Sequence, residues 1–348
     1  MTAKALRNFY RGKRIWLSGH TGFKGAWLSL WLSDMKAEVA GYALAPEADR
    51  PSLFDLAKVD KKIVRSTIAD IRDAAAVQAD IKDFAPEIII HMAAQPLVRR
   101  SYREPLETYA TNIMGTAHVL EAARHCPTVK SIVCVTTDKC YENLEQMEPY
   151  KETDRLGGHD PYSSSKAGAE IVAASYRDSF LRTQNIHMAT ARAGNVIGGG
   201  DFSEDRIIPD FIRAIEQNQP LIMRAPTAIR PWQHVLDAVH GYPILGQKLY
   251  QNGNSFAEAF NFSPQGQPPV NVETVIKKLA EQMKAGVYEI DPARRDVHEA
   301  TLLQLDSGKA RKCLDWRVLL QLDHCLSITS DCYDSYLNRA DMTARTVQ

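Results

Sequence analysis

Three regularly spaced glycines near the N-terminus constrain the fold of this 348-residue chain most strongly. Gly19, Gly22 and Gly25 separate a short apolar run, Arg14 to Ser18, from the apolar residues Ala26 to Leu32, which have helical periodicity. A glycine loop between a buried strand and a helix lets the backbone approach a pyrophosphate, whose charge the helix N-terminus stabilises. Three glycines also form ordinary turns, but this position favours a dinucleotide site. The predicted cofactor contacts in the loop are Gly19, Thr21, Gly22, Phe23 and Gly25.

The second predicted strand, Glu38 to Leu44, ends without an acidic residue. Sites for NAD usually have an Asp or Glu at this point, which binds the ribose hydroxyls, whereas sites for NADP often have an arginine nearby. No arginine follows the strand closely, and Lys24 is the only cation in the glycine loop. These residues alone leave the choice between NAD and NADP open.

Two later strand ends are also predicted to face the cofactor. The apolar run Ile88 to Ile90 leads through His91 into small residues, which suit a backbone wall against a ligand. We interpret His91 as a hydrogen-bonded core residue. Asp70 either bonds the adenine amino group or caps the helix predicted over Ala74 to Ile81, and the pattern fits both equally. The further predicted cofactor contacts are Asp70, Ile71, Ala93 and Ala94.

Polar residues follow the strand predicted over Ser131 to Val135. Thr137, Asp138 and Lys139 come at its carboxyl end, where parallel sheets usually place their chemistry. They offer a hydrogen-bond donor, an acid and a cation, although a solvated loop has the same composition. The residues before this strand, Leu106 to Arg124, predict one long helix. Its Asn112 either holds a water or a backbone carbonyl near the site or serves packing.

A helix with reactive side chains is predicted to begin at Asp160 and Pro161. Asp is a good N-cap residue, and Pro suits the first helical position. Tyr162 and Lys166 follow four residues apart and therefore project from one face. An ammonium close to a phenol favours the phenolate, so we expect Lys166 to lower the pKa of Tyr162 towards the range of a general base. Such pairs also occur on solvated helices, and the other motifs favour the catalytic interpretation.

These motifs, in this order, resemble those of the extended short-chain dehydrogenase/reductases. Within that group the chain is similar to the nucleotide-sugar 4,6-dehydratases, which have a threonine and an acidic pair after the fifth strand. Here Lys139 replaces the expected glutamate. That departure and three further stretches resemble the members of the group that act on CDP-glucose. The stretches are His20 to Gly25, His91 to Arg99 and Arg230 to Val235, and the resemblance runs from about Arg11 to about Trp316.

The resemblance implies an α/β fold: a doubly wound parallel sheet of the Rossmann type with a smaller C-terminal substrate-binding lobe. Residues 1–195 are expected to form the dinucleotide-binding domain, to which later segments return, and residues 196–348 mainly the substrate lobe. The implied cofactor is NAD, and the implied substrate is a nucleotide sugar, CDP-glucose, used in deoxysugar biosynthesis. A homodimer or higher homo-oligomer is the implied assembly, with the helices at Leu106 to Arg124 and Ala167 to Phe180 paired across a two-fold axis.

The resemblance also implies an internal oxidation and reduction of the sugar with loss of water. Tyr162 is the expected base for the C4 hydroxyl, Lys166 holds the nicotinamide ribose, and Thr137 bonds O4. Asp138 is the expected acid for the departing C6 hydroxyl. Lys139 is the expected C5 base if its amine is neutral, which burial promotes. The expected catalytic residues are thus Thr137, Asp138, Lys139, Tyr162 and Lys166, of which Tyr162 and Lys166 also contact the cofactor.

Arginines in the C-terminal half are candidates for binding the substrate diphosphate, because a guanidinium pairs bidentately with phosphate oxygens. Arg230 lies in a Pro-flanked loop, whereas Arg206 and Arg294 have weaker support because surface arginines are common. Asn195 belongs to a glycine-rich loop that either contacts ligand or forms an ordinary turn, and His298 either contacts ligand or bonds between the lobes. The predicted substrate contacts are Gln95, Asn195, Arg206, Arg230, Arg294 and His298.

Composition restricts the partners. The formal net charge is zero and the sequence pI is about 7.1, which argues against nucleic acid or an anionic membrane as the main partner. The basic N-terminus has no apolar segment of the signal-peptide kind, and no apolar run approaches the ~20 residues of a membrane span. The six cysteines form no CxxC pair and have no zinc-like spacing with histidine, so no metal site is predicted. We therefore expect a cytoplasmic protein.

Two alternatives to a 4,6-dehydratase stay open on the sequence. One is another nucleotide-sugar enzyme of the same superfamily, such as an epimerase or a dehydratase for another nucleotide. An epimerase has no need of an acid–base pair for loss of water, so Asp138 and Lys139 argue against it. The other is a catalytically silent dinucleotide-sensing regulator, which has no need of Tyr162 and Lys166 together.

Overall fold

A sheet of seven parallel strands forms the centre of the fold in the computed structural model, which describes residues 3–264, 270–291, 302–340 and 342. The described strands are β1 (Arg14–Ser18), β2 (Glu38–Ala43), β3 (Arg65–Ile68), β4 (Ile88–His91), β5 (Ser131–Val135), β6 (His187–Ala193), β7 (Val196–Ile197), β8 (Leu221–Met223), β9 (Ile229–Arg230), β10 (Gln233–His234), β11 (Ala259–Phe262), β12 (Val270–Asn271) and β13 (Tyr288–Ile290). The central sheet has the order β11-β6-β5-β4-β1-β2-β3.

Helices cover both faces of this sheet, as its parallel connections require. The described α-helices, which include those of the smaller lobe, are α1 (Ala3–Tyr10), α2 (Phe23–Asp34), α3 (Leu53–Leu56), α4 (Ala74–Phe84), α5 (Val98–Arg103), α6 (Pro105–Tyr109), α7 (Gly115–Arg124), α8 (Pro161–Tyr176), α9 (Ile207–Glu216), α10 (Val235–Asn252), α11 (Val272–Met283), α12 (Gly308–Leu314) and α13 (Leu322–Leu337). Within the described ranges, no helix combines the length and the apolar character that a membrane crossing requires.

The strand order reverses between β1 and β4, because the chain builds β2 and β3 on one side of β1 and β4 to β6 on the other. Ser18, the last residue of β1, pairs with His91, the last residue of β4. The loops that follow these two strands therefore leave the same edge of the sheet side by side. Open parallel sheets bind their ligands in the crevice at such a reversal.

Apolar side chains form a core on each face of the sheet and a third core in the smaller lobe. One face packs Leu28, Val133 and Phe260 against α2 and α10, and the other packs Trp16 and Ile132 against α4 and α7. The third core contains Phe211 of α9, Leu279 of α11 and Tyr333 of α13. Each lobe thus has its own buried cluster, and the groove between the lobes remains free for ligands.

The smaller lobe is assembled from short strand pairs and from α9, α11 and α13. Its pairs are β7 with β10, β8 with β13 and β9 with β12. Between these segments the chain returns to the central sheet, where β11 pairs with β6 in parallel. These crossings hold the smaller lobe against the carboxyl edge of the sheet.

Several predicted elements are confirmed and two need correction. β1 and β5 have the predicted bounds, and Asp160 caps α8 by accepting a hydrogen bond from Ser163 N at 2.9 Å. The helix predicted over Leu106 to Arg124 contains a π-helical turn, Ala110–Met114, between α6 and α7. β2 ends at Ala43, one residue earlier than predicted. π-helical turns often accompany functional sites, and this one contains Asn112.

Candidate active site

A cavity of about 520 Å³ lies between the carboxyl edge of the sheet and the smaller lobe. It receives the ends of β1, β4, β5 and β6 and the start of α8. The predicted cofactor residues that line it are Gly19, Thr21, Gly22, Phe23, Gly25, Asp70, Ile71, Ala93, Ala94, Tyr162 and Lys166. The other predicted residues that line it are Thr137, Asp138, Lys139, Asn195, Arg206 and Arg230.

At Gly19 and Gly25 the glycine loop leaves no room for a β-carbon. Gly19 has a φ of +79°, and a β-carbon built there would lie 2.8 Å from Ala93 N. A β-carbon at Gly25 would lie 1.9 Å from Gly19 O. Gly22 precedes α2 and caps it without a side-chain hydrogen bond. The loop therefore presents bare backbone and the N-terminus of α2 to the cavity, which suits a pyrophosphate.

The His20 ring packs against Gly41 of β2, a structural role that was not predicted from the sequence. A β-carbon at Gly41 of β2 would lie 2.3 Å from the His20 ring, and His20 Nε2 lies 2.7 Å from Ser66 Oγ. Burial lowers the pKa of His20 to about 4, so the imidazole is neutral at physiological pH. A glycine within a strand indicates such a close approach, and Gly41 was the available signal.

Asp70 does not cap α4, so that alternative was wrong. Asp73 caps the helix by accepting a hydrogen bond from Ala76 N at 3.0 Å. The Asp70 carboxylate instead binds Arg72, with Nη2 to Oδ2 at 2.6 Å, and this bond lowers the pKa of Asp70. Asp70 is thus ionised at the rim of the cavity and can accept a hydrogen bond from an amino group.

His91 belongs to a buried hydrogen-bonded chain, as predicted. Its Nδ1 lies 2.7 Å from Ser18 Oγ, and its Nε2 lies 3.1 Å from Thr116 Oγ1. Ser18 Oγ accepts hydrogen bonds from Met92 N and Ala93 N at 2.9 and 3.0 Å. Burial lowers the pKa of His91 to about 3, so it stays neutral and fixes the loop that carries Ala93.

Gln95 faces the protein interior, contrary to its prediction as a substrate contact. Its side-chain amide donates to Thr108 Oγ1 at 2.9 Å and to Leu97 O at 3.1 Å, and Oε1 accepts from Leu97 N at 2.6 Å. Asn112 in turn bonds both Gln95 O and Gln95 N. The two amides satisfy the backbone of a buried loop, and Gln95 is absent from the described lining of the cavity.

The loop after β5 presents the predicted acid. Thr137 Oγ1 donates to Asp138 Oδ1 at 2.9 Å and accepts from Lys139 N at 3.3 Å. Asp138 is buried, and its Oδ2 faces Gly194, where a β-carbon would lie 3.3 Å away. Lys139 is half-buried and lines the cavity.

The expected lowering of the Tyr162 pKa was wrong for this structure. Both Tyr162 and Lys166 are buried in the cavity wall, and burial raises the pKa of the phenol to about 12 although a hydrogen bond with Thr137 opposes the rise. Burial also lowers the pKa of Lys166 to about 8, while Glu170 opposes that change. The Lys166 ammonium contacts Val135 O at 3.5 Å. The phenol of Tyr162 is therefore neutral at physiological pH in this structure.

Lys24 brings a further cation to the same cavity. Its Nζ lies 3.5 Å from Tyr242 Oη. Burial, reinforced by the charges of Arg206 and Lys166, lowers the pKa of Lys24 to about 7. The sequence showed Lys24 as the only cation of the loop but gave no sign that it is close to these charges.

Carboxylates hold three of the arginines that line the cavity. Arg206 Nη1 binds Asp201 Oδ2 at 3.2 Å. Two arginines that were not predicted share Asp205. Arg224 Nη1 lies 3.3 Å from Asp205 Oδ1, and Arg99 Nε lies 3.7 Å from the same oxygen. Arg99 is the last residue of the stretch His91 to Arg99, which carried part of the resemblance. Arg224 had no sequence signal apart from its charge. These cations suit a substrate with a diphosphate.

Two predicted substrate contacts, Arg294 and His298, lie outside the described residues. Arg230 and Asn195 do line the cavity, and Arg230 Nη1 donates to Ile229 O at 2.9 Å. Asn195 O accepts from Gln233 N at 3.1 Å, which joins β7 to β10 beside the site. The substrate side of the cavity is thus built by both lobes.

The residues present fit a dinucleotide. The cradle around Gly19 and Gly25 has no space for a β-carbon, and the bare N-terminus of α2 faces it. Asp70 offers a carboxylate for the adenine end, and Lys166 offers an ammonium whose described protein partner is a single carbonyl at 3.5 Å. These groups would hold the two ends and the pyrophosphate of NAD.

A family model and several sequences match the chain. The model of the GDP-mannose 4,6 dehydratase family matches residues 17–329. A CDP-glucose 4,6-dehydratase of Salmonella typhimurium is 44% identical over 342 residues, which is 97% of this chain and 94% of that protein. A probable dTDP-glucose 4,6-dehydratase of Sinorhizobium fredii is 28% identical over 64% of this chain and 65% of its own length.

Solved structures show the same fold at low sequence identity. A UDP-glucose 4-epimerase of Thermotoga maritima with UDP-glucose has a TM-score of 0.79 and 20% identity, over 93% of this chain and 99% of that chain. A dTDP-glucose 4,6-dehydratase of Bacillus anthracis in complex with NAD has a TM-score of 0.76 and 19% identity, over 94% and 99% of the two chains. The predicted doubly wound parallel α/β fold is therefore confirmed.

Proposed function

The chain belongs to the GDP-mannose 4,6 dehydratase family, and on that premise we propose that it converts CDP-glucose to CDP-4-keto-6-deoxyglucose and water with NAD as cofactor. The observation that carries the proposal is the presence in one cavity of the Tyr162–Lys166 pair and of the loop with Asp138 and Lys139. The first pair suits oxidation at C4, and the second suits loss of water across C5 and C6. The family and the 44% identical relative support this reaction class.

In the proposed reaction, Tyr162 takes the proton of the C4 hydroxyl and Thr137 bonds the same oxygen. Bound NAD supplies the hydride acceptor for C4 and the hydride donor for C6. Lys166 holds the nicotinamide ribose, and an ammonium on the same helix face as Tyr162 favours the phenolate, which is the form that can accept the proton. At pH 7 the ammonium form prevails, because the pKa of Lys166 is about 8.

Loss of water uses the loop after β5. A ketone at C4 makes the C5 proton acidic, and Lys139 is the proposed base for it, a role that requires a neutral amine. Asp138 is the proposed acid: protonated, it gives its proton to the C6 hydroxyl, which leaves as water. The buried Oδ2 that faces Gly194 is the oxygen available for this transfer.

The substrate diphosphate is proposed to bind at the smaller lobe. Arg206 and Arg230 line the cavity there, together with Arg99 and Arg224. Asp201 and Asp205 hold three of these side chains in place, so the guanidinium groups lose little further freedom when a diphosphate binds.

A homodimer is the proposed assembly. α6, α7 and α8 pack side by side on one surface of the dinucleotide-binding part. Leu106, Met114, Ile171 and Phe180 on this surface are all exposed, with Leu106 82% accessible. Exposed apolar side chains on adjacent helices mark an interaction surface, and a two-fold axis through them would form a four-helix interface. Because NAD and nucleotide sugars are cytoplasmic metabolites, we expect the protein to act in the cytoplasm.

The decisive experiment is incubation of the protein and NAD with CDP-, dTDP-, GDP- and UDP-glucose, with the 4-keto product read from its absorbance in alkali. We expect product from CDP-glucose and much less from the others. The matched control is Tyr162→Phe, which keeps the ring and should give none. Product from a different sugar corrects the nucleotide, and a 4-epimer without a keto product identifies an epimerase and overturns the proposal.

A further inference from the structure

A buried ion pair that the proposed reaction does not use lies behind the cavity. The Glu170 carboxylate accepts hydrogen bonds from Arg192 Nη2 at 2.8 Å, from Thr190 Oγ1 at 2.7 Å and from Thr136 Oγ1. The side chains of Glu170 and Arg192 are 3% and 5% exposed. None of Glu170, Arg192 and Thr190 belongs to the described lining of the cavity, so their contribution to the reaction can only be indirect.

Arg192 extends this network to the other end of the loop after β5. Its Nη1 donates to Tyr141 Oη at 2.9 Å and to Glu152 O at 3.2 Å, and its guanidinium lies 5.0 Å from the centre of the Tyr141 ring. Tyr141 Oη in turn donates to Asn261 Oδ1 at 2.7 Å. Burial alone would lower the pKa of Arg192, but the interaction with Glu170 outweighs burial and raises that pKa, so the guanidinium is charged.

The catalytic loop is therefore bound to one ion pair at both of its ends. Thr136 at the start binds Glu170, and Tyr141 at the end binds Arg192. Between them stand Thr137, Asp138 and Lys139. The main-chain bond from Thr136 N to Ala191 O at 2.9 Å ties the loop to β6, whereas the Thr136 side chain ties it to α8.

The helix side of this link carries the other half of the chemistry. Glu170 lies one turn after Lys166 and two turns after Tyr162 on α8, so the three share a helix face. Thr136 and Glu170 thus join the segment with the proposed dehydration acid to the segment with the proposed oxidation base. General acid catalysis depends on such spacing, because the proton donor must lie within hydrogen-bond reach of its acceptor.

We propose that the Glu170–Arg192 ion pair is a positioning device for loss of water: through Thr136 and Tyr141 it holds Asp138 and Lys139 at the distance from Tyr162 that dehydration requires. This inference rests on the proposed 4,6-dehydratase function. Oxidation at C4 involves this loop only through Thr137, whereas loss of water involves both Asp138 and Lys139. Tyr162 and Lys166 stand on a helix that Asp160 caps independently, so oxidation depends less on the network than loss of water does. Glu170 and Arg192 themselves are poor test positions, since removal of either leaves a buried charge unpaired.

The test compares two valine variants that remove one hydroxyl each from the same carboxylate. Thr136→Val cuts the link to the catalytic loop, and Thr190→Val cuts an equivalent bond from β6 that does not reach the loop. Both enzymes are mixed with NAD and CDP-glucose, and bound NADH and the 4-keto product are followed in time. Melting temperatures of both variants are measured alongside as the structural control.

We expect Thr136→Val to form product at least about tenfold more slowly and to accumulate bound NADH. General acid catalysis accelerates a reaction by ~10²–10⁴-fold, and a displaced acid should lose part of that acceleration. Thr190→Val should stay within about twofold of the wild type and accumulate none. Thr136→Ser, which restores the hydroxyl, should recover the wild-type rate. Tyr141→Phe removes the hydrogen bond between the end of the catalytic loop and Arg192. This variant should also form product more slowly and accumulate bound NADH, and it tests the inference if Thr136→Val does not fold.

Equal kinetics for the two valine variants, at equal loss of melting temperature, would show that the network serves stability alone and would overturn the inference. Slower oxidation without accumulated NADH in Thr136→Val would overturn it as well. These outcomes are distinct from failure of the proposed function. A wild-type protein that makes no 4-keto product from any of the four sugars overturns that function and this inference together.

Discussion

Thr137 donates its hydroxyl to Asp138 Oδ1 at 2.9 Å, while Asp138 Oδ2 is buried and has no hydrogen-bond partner among the described residues. A buried carboxylate oxygen without a partner is costly, so a ligand donor at this point would be stabilised. Oδ2 faces Gly194 and the cavity. One oxygen of the proposed acid is thus fixed by the protein, and the other is available to the substrate.

Thr137→Val is predicted to slow oxidation at C4. A hydrogen bond with Thr137 opposes the rise of the Tyr162 pKa, which burial sets to about 12, so its removal should raise that pKa further. Each pKa unit reduces the phenolate fraction at pH 8 about tenfold. We expect bound NADH to form about tenfold more slowly. Thr137→Ser is the control, and an unchanged rate of NADH formation in Thr137→Val would contradict the role.

The sequence predicts those parts of the site that depend on local structure. The conformation of the glycine loop depends on the backbone freedom of its glycines, and the position at which α8 begins depends on its capping residue. Each of these features is encoded within a few residues. Gly19 with its φ of +79° and Asp160 with its bond to Ser163 N are where the spacing predicted them. The same loop is one of the motifs that carry the resemblance, which implied a doubly wound parallel sheet.

Features that depend on burial or on distant pairing were not predictable. The pKa of Tyr162 is set by how deeply the folded chain covers the phenol, so its spacing from Lys166 gave the wrong direction. Glu170 and Arg192 are 22 positions apart on different elements, and only the fold brings them to 2.8 Å. Gln95 was misplaced because a polar residue at a strand end serves the backbone as readily as a ligand.

Ile171→Glu is predicted to convert the proposed dimer to a monomer. Ile171 is 61% exposed on α8, and a two-fold axis would place two introduced carboxylates in one interface. Such like charges weaken association by at least about tenfold. Sedimentation velocity at micromolar concentration should show the change. Leu319→Glu, at a 70% exposed leucine elsewhere, should leave the dimer intact. A monomeric wild type would contradict the assembly.

Product formation is predicted to need only catalytic amounts of NAD. Hydride that leaves C4 returns to C6, so the cofactor is regenerated in each cycle. With NAD at a hundredth of the CDP-glucose concentration, the sugar should still be converted completely, without net absorbance of NADH. Conversion that stops when the added NAD is used up would instead indicate a dehydrogenase.

Lys24→Met is predicted to stabilise the protein at neutral pH. Burial lowers the pKa of Lys24 from its ordinary 10.5 to about 7, so the unfolded chain binds more protons between these values and stability rises with pH across this window. The variant should gain about 1–2 kcal/mol at pH 7, since one pKa unit is about 1.4 kcal/mol and the side chain keeps part of its hydration. The gain should shrink towards pH 10. Denaturant titrations of the variant and of exposed Lys82→Met would show whether the effect is specific.

Tyr162→Phe is predicted to abolish every step, including the formation of bound NADH. Phenylalanine fills the same buried space but has no hydroxyl to take the C4 proton, so hydride has no route out of the sugar. The variant should keep its melting temperature, because the removed hydroxyl makes its described hydrogen bond only to Thr137. Rapid mixing with CDP-glucose should then give no absorbance of reduced nicotinamide.

Asp138→Asn is predicted to differ from Tyr162→Phe in kind. The amide keeps the shape of the side chain and can still interact with Thr137, but it cannot give a proton to the departing hydroxyl at Oδ2. Oxidation at C4 should survive while loss of water slows by the ~10²–10⁴-fold typical of general acid catalysis. Bound NADH should therefore accumulate to nearly one per active site before product appears. If Asp138→Asn blocks NADH formation as completely as Tyr162→Phe does, Asp138 acts in oxidation, and the assignment of the dehydration acid fails.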